Sequence, residues 1–280
     1  MSEQHPVEHA ETEDSGGRWI PLESNPDIFN MWAHKAGLVA SQSRFEDVYG
    51  LEDELLDMVP GPIKAVILLF PIDPEGEEKR KREDARIAKE GQPMLDNTIF
   101  WVKQTISNAC GTIGLIHSLA NSGATFSPTS SLQKFIIECQ DKTPLERAKV
   151  LATTPLFASI HAETASSGLN QTAPELDTEL HFTCFVEAPE AVFRRIAKDR
   201  DGEDAAGEEE IEKERAEVAR GSGTGMRLIE LDGRREGPID HGECKDLLKD
   251  AAYIIKSQYI AGSSSVNFSV LALSMAAVHK

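Results

Sequence analysis

The residue with the most chemical potential in this chain is Cys110. Asn108 precedes it, and Gly111 and Thr112 follow, at the entrance to an apolar run over 112–120. The spacing predicts a thiol at the N-terminus of a helix. There it meets about half a positive charge, which favours the nucleophilic thiolate. Without such help a thiol with pKa near ~8.5 is mostly un-ionised at neutral pH. A lone cysteine on a helix is more often a small buried hydrophobe, so its neighbours decide. Gln104, six residues earlier, carries an amide that could donate to an oxyanion beside the sulfur, together with the Cys110 backbone N–H. His181 opens the strand-like HFTCFV, and Asp232 closes LIELD at an Asp–Gly turn. Oxyanion donor, nucleophile, base and orienting carboxylate thus occur in the order Gln–Cys–His–Asp, the parts of a thiol acyl-transfer site. Residue types alone leave His117 and His161 as alternatives to His181, and an aspartate before glycine is often only a turn residue. The remaining cysteines, 139, 184 and 244, have no zinc-ligand spacing and read as structural. Neither a metal nor a cofactor is expected.

These side chains need rigid elements to hold them. WIPLE (19–23) and AVILLFPI (65–72) read as strands, and NPDIFNMWAHKAG between them as an amphipathic helix. The segment 97–121 ends in a long apolar helix, and SLQKFIIECQD and TPLERAKVLAT read as short capped helices. LHFTCFVEA (180–188), MRLIELDG (226–233) and VNFSVLALSM (266–275) read as strands, and DLLKDAAYIIKSQYI as a helix. Along HFTCFV, Cys184 lies an odd number of residues from His181 and so faces the opposite side. Strands scattered among helices without a βαβ rhythm predict an α/β (α+β) fold. Three stretches stand apart. Residues 1–17 are acidic and read as a flexible tail. DPEGEEKRKREDARIAKEGQP (73–93) is a charged, exposed insertion with some helix, and 190–222 is a second charged insertion. The rest, within 18–280, is enough for one compact catalytic domain.

Taken together, QTISNACGT, WIPLESNPDIFN, FEDVYGLEDELLDMVPGPIKAVILLFP, HFTCFVE, LIELDGRREGPIDHG and VNFSVLALS resemble the ubiquitin C-terminal hydrolases, papain-like thiol hydrolases. The likeness covers nearly all of the chain outside the tail and the insertions, and it follows the compact members. It implies a central antiparallel sheet flanked by helices, with a knotted chain path. It implies Gln104 as oxyanion donor, Cys110 as nucleophile, His181 as general acid and base, and Asp232 as the carboxylate that orients it. It also implies a crossover loop above the site at about 162–178, with Ser166, Ser167, Gly168 and Leu169 near the substrate. The implied reaction is hydrolysis at the C-terminal glycine of ubiquitin, releasing small or unfolded leaving groups. The alternatives are a non-catalytic ubiquitin-binding protein and a hydrolase of a ubiquitin-like modifier. Ubiquitin's tail is basic and ends in two glycines, so acids near the groove would pair with it; Glu23, Asp27 and Glu163 are the candidates.

Composition limits the partners. With 29 basic against 47 acidic residues the net charge is -18. That disfavours nucleic acid, whose binding runs on phosphate neutralisation, and an anionic membrane surface. No apolar run is long enough to span a bilayer, and the N-terminus has no signal-peptide pattern. A monomer with free thiols, in the cytoplasm or nucleus, is the expectation.

Overall fold

The computed structural model describes residues 18–172, 178–191, 224–261 and 263–275. Six strands among these form one antiparallel sheet. They are β1 (Ser43–Asp47), β2 (Ile63–Pro71), β3 (Leu180–Pro189), β4 (Met226–Leu231), β5 (Ile239–Glu243) and β6 (Ser269–Met275). Their spatial order is β1-β6-β2-β3-β4-β5. The expected architecture, an antiparallel sheet flanked by helices, is therefore present.

Both faces of the sheet are covered, and the alternation of side chains along each strand assigns them. Ala65 and Ile67 of β2, Phe182, Cys184 and Val186 of β3, and Leu271 and Leu273 of β6 belong to one core. Val66, Leu68, Phe70, Phe185, Val270 and Ala272 belong to the other. The first core is closed by α1 (Pro26–Ala36), α4 (Cys110–Asn121), α5 (Ser131–Glu138), α6 (Pro144–Thr153) and α7 (Pro155–Ala165). The second is closed by α2 (Asp53–Leu56) and α8 (Leu247–Ile254), which runs on into a wider π turn, Ile255–Ile260. Helix α3 (Pro74–Glu90) has no buried residue and lies outside both cores.

Local chemistry sets the helix ends. Asn25 accepts from the Asp27 N–H and Gly37 closes α1 at φ 108°. Thr143 and Glu146 form a reciprocal capping box at α6. Pro155 then starts α7 directly, a helix that follows the expected one and was not itself expected. Helix α4 is buried on every side from Cys110 to Leu119, as its unbroken apolar run requires.

Several expectations need correction. WIPLE forms no strand. Its backbone is spent on side chains and loops: the Ile20 carbonyl meets His161 Nε2 at 2.7 Å, Pro21 accepts from Asn170, and the Trp19 N–H reaches Ser107. The closing strand starts at Ser269, not Val266. The first residues of the expected crossover loop are the last turn of α7, which continues to Ala165. The stretch 73–93 is chiefly one long helix with a task of its own, described below. The tail 1–17, most of 190–222 and the centre of the crossover segment, 173–177, lie outside the described residues. No described helix is long and apolar enough to cross a membrane.

Candidate active site

Helix α4 meets the sheet at β3. A Cβ on Gly111 would lie 3.4 Å from the Phe182 ring and 3.2 Å from Leu22, so only a minimal side chain lets the helix sit so close. Cys110 is the first residue of this helix and is 6% exposed. Backbone N–H groups of Phe182, Gly111 and Cys110 itself face its sulfur. The helix terminus is thus aimed at the thiol, as the sequence implied. Asn108, just before it, takes a left-handed φ of 61°, a conformation asparagine tolerates better than most residues.

Burial works against the expected thiolate. Burial pushes the Cys110 thiol up, and the three N–H groups and Arg234 recover only part of that. Desolvation of a charge outweighs the helix terminus here.

Phe182 is preceded by His181, which opens β3 opposite Phe70 of β2 and is 2% exposed. Phe70 meets the imidazole edge-on at 5.6 Å. On the other side of β3, the antiparallel register pairs Cys184 with Leu231. One step further along β4 the chain reaches Asp232, which folds back to the imidazole. Asp232 Oδ1 lies 2.7 Å from His181 Nε2, and both groups are buried. This leaves Nδ1 to serve the sulfur; among the described residues no hydrogen bond yet joins Cys110 to His181. Burial pushes the His181 ring well below the ordinary histidine value; Arg80 and Arg234 act the same way, and Glu230 opposes them. Burial thus works against the charged form of both the thiol and the imidazole.

The structure separates His181 from the other two candidates. His117 Nε2 accepts the Val102 N–H at 3.0 Å, and its Nδ1 meets the Leu231 carbonyl. His161 is held between Thr112 and the Ile20 carbonyl. Burial lowers both rings to about 4. Both are structural ties, and neither meets a carboxylate.

Gln104 enters from the segment before α4. Its N–H donates to the Gly233 carbonyl at 2.8 Å, and its side-chain amide donates to the Ile106 carbonyl at 3.2 Å. The approach is so close that a Cβ on Gly233 would fall 3.0 Å from Gln104 Cβ and 2.9 Å from Ile113. Trp101 Nε1 donates to the Asp232 carbonyl at 3.1 Å, and Lys103 Nζ to the Arg235 carbonyl at 2.7 Å. The Gln104 segment and the aspartate turn thus brace each other. Trp101, Lys103 and Gly233 were not legible as site residues, since the first two act on backbone carbonyls far along the chain and the third by lack of a side chain.

A buried polar cluster underlies β4. Glu230 accepts from Thr183 at 3.0 Å, meets His241 at 2.8 Å and takes the Tyr259 hydroxyl. Burial opposes its charge, but His241, Arg235 and Tyr259 hold its carboxyl down to about 2.

Ser166, Ser167, Gly168 and Leu169 form the turn after α7, and Leu169 is exposed. Asn170 anchors them: its side chain accepts the Glu23 N–H at 2.8 Å and donates to the Pro21 and Ala165 carbonyls at 3.1 Å. Of the three acids considered for the substrate tail, Glu163 is engaged by Lys35 and Ser159. Asp27 lies in the first turn of α1, and Glu23 accepts the Gln171 N–H beside the loop. Cys139, Cys184 and Cys244 are buried free thiols, with burial pushing each upward. No cluster of metal-ligating side chains occurs among the described residues.

A thiol at a helix N-terminus, with an imidazole–carboxylate pair on the adjoining strands, defines the thiol hydrolase class. The family model described as "Ubiquitin carboxyl-terminal hydrolase, family 1" matches residues 19–195, and the chain belongs to that family. Over 269 residues it is 35% identical to ubiquitin carboxyl-terminal hydrolase 3 of Arabidopsis thaliana, covering 95% of this chain and 97% of that one. It is 33% identical to human ubiquitin carboxyl-terminal hydrolase isozyme L1 over 92% of this chain and 98% of that one. In fold it is similar to the UCH37 catalytic domain of Trichinella spiralis bound to ubiquitin vinyl methyl ester. That match has a TM-score of 0.63 at 21% identity, over 94% of this chain and 99% of that one.

Proposed function

We propose that this chain hydrolyses bonds at the C-terminal glycine of ubiquitin through an acyl-enzyme on Cys110. The observation that carries the reading is the His181–Asp232 contact of 2.7 Å, built on the strand that packs against the N-terminus of α4. Because burial opposes ionisation of both thiol and imidazole, the proton moves as the bond forms rather than before it. Sγ attacks the glycine carbonyl while His181 Nδ1 takes the thiol proton. The developing oxyanion is met by the Cys110 N–H and the Gln104 amide, which must turn from Ile106. The imidazolium, held by Asp232, gives its proton to the leaving amine. It then accepts one from water, which hydrolyses the acyl-enzyme.

In this reading the substrate tail passes beneath the turn at 166–172. This favours small or unfolded leaving groups, and Glu23 at its anchor would meet the basic tail. Family membership and the relatives' names support ubiquitin as the substrate. The test is a fluorogenic ubiquitin C-terminal amide with wild type and Cys110→Ala. Turnover that vanishes in the variant is expected; turnover that persists refutes the mechanism. Binding of ubiquitin without turnover by wild type, and without capture by a C-terminal electrophile, would instead make it a binding protein. A parallel assay with a ubiquitin-like modifier fixes the substrate.

A further inference from the structure

Helix α3 grips the catalytic turn through ion pairs. Arg80 reaches the free oxygen of Asp232, Oδ2, and the Asp232 side chain is fully buried. The same guanidinium lies 5.0 Å above the Phe70 ring, which itself packs edge-on against His181. Glu77 bridges Arg80 at 3.1 Å and Arg234 at 3.0 Å. Glu83 and Asp84 hold Arg235, each at 2.8 Å. The two oxygens of Asp232 are thereby divided. Oδ1 takes His181 and the Arg234 N–H, while Oδ2 faces Arg80.

We propose that Arg80 is a positioning residue for the reaction: by taking Oδ2 it fixes the carboxylate so that Oδ1 is directed at His181. The proposal rests on the assignment of His181 and Asp232 made above. The guanidinium fork sends one nitrogen to Oδ2 and the other to Glu77, a division that a lysine's point charge cannot reproduce. Its charge also acts on the imidazole. The charged groups acting on that ring are Arg80 from α3 and Glu230, Asp232 and Arg234 from β4 and its turn, while Glu77 of α3 pairs with both arginines. Arg80 and Arg234 disfavour the imidazolium, and Glu230 favours it. Loss of Arg80 would therefore let the ring gain a proton at higher pH.

The experiment is a pH profile of turnover of the fluorogenic ubiquitin amide by full-length wild type, Arg80→Gln and Arg80→Lys, with thermal unfolding of each. Arg80→Gln is expected to lose about tenfold or more in kcat, about 1.4 kcal/mol. KM should stay within about twofold, and the acid limb should move to higher pH. Arg80→Lys should keep the limb near its wild-type position and recover only part of kcat. An unmoved limb in Arg80→Gln, with activity lost only in proportion to folded protein, overturns the proposal. Should Arg80→Gln not fold, wild-type kcat in Arg80→Lys overturns it. Wild type without Cys110-dependent turnover would sink the underlying assignment instead, a different outcome from an active enzyme indifferent to Arg80.

Discussion

Replacing Asp232 with asparagine tests the core of the site at almost constant volume. In wild type Oδ1 accepts from the His181 side at 2.7 Å and from the Arg234 N–H at 2.8 Å, and Oδ2 faces Arg80. An asparagine can satisfy only some of these. With its oxygen at the Oδ1 position, its NH2 group is driven against the Arg80 guanidinium. With the amide reversed, NH2 donates to Nε2, which forces the ring proton onto Nδ1, and Nδ1 can no longer accept from the thiol. Either way a charge-assisted hydrogen bond of about 1.5–3 kcal/mol is lost from the imidazolium-bearing transition state. At about 1.4 kcal/mol per decade this is a loss of roughly tenfold to somewhat over a hundredfold in kcat. The tautomer effect pushes toward the upper end. Asp232 is buried and meets no substrate, so KM should hardly change. Steady-state hydrolysis of the fluorogenic ubiquitin amide, with circular dichroism to verify folding, reads the result. A folded Asp232→Asn enzyme within about threefold of wild-type kcat would refute the reasoning.

The two buried structural histidines predict acid sensitivity. Their folded values are depressed to about 4, so the unfolded chain binds more protons below its own value of about 6.5, and stability falls as pH falls through that window. Between about pH 7 and pH 5 each should cost about 2 kcal/mol; His161→Gln should flatten the decline of Tm, and an unchanged slope would contradict this. Gly233→Ala would drive a methyl to within 2.9–3.1 Å of Ile113 and the Gln104 backbone, for a stability loss of about 1–3 kcal/mol and a lower kcat. A fully active, equally stable variant, by thermal melt and turnover, would show that the turn can shift freely. Asn170→Ala removes three ties of the loop at 166–172, so turnover of a bulky leaving group should rise relative to a small one. Equal ratios in the two variants would show that the loop does not limit access.

The members of the proposed site could be picked out because each sits in a local pattern. Cys110 stands where an apolar run begins, and His181 and Asp232 stand where alternating strands begin and end. Neighbouring strands of one antiparallel sheet are enough to join the last two across a long stretch of chain. What escaped reading was non-local. WIPLE has the composition of a strand, but Pro21 offers no N–H and the carbonyls around it are claimed by His161 and Asn170. The opposition of burial to the thiolate was not legible either, because how far the sulfur is buried depends on packing that no local pattern shows. β1 and β5 are short and mostly polar, so their pattern is weak, and only pairing with β6 and β4 defines them. Helix α3 reads as a solvated charged segment, and indeed buries no residue; nothing in its own sequence reveals which arginines it will meet.

That same helix divides the duties of the chain. Although α3 adds no side chain to either core, it supplies the partners of buried Arg235 and Asp232, so its removal would strand those charges as well as take the backing from the carboxylate behind the imidazole. Glu77, Arg80, Glu83 and Asp84 recur at three- and four-residue steps and so share one side of the helix. Drift among related chains should spare that stripe and run freely over the outer side, leaving a surface that can change its character while catalysis stays intact.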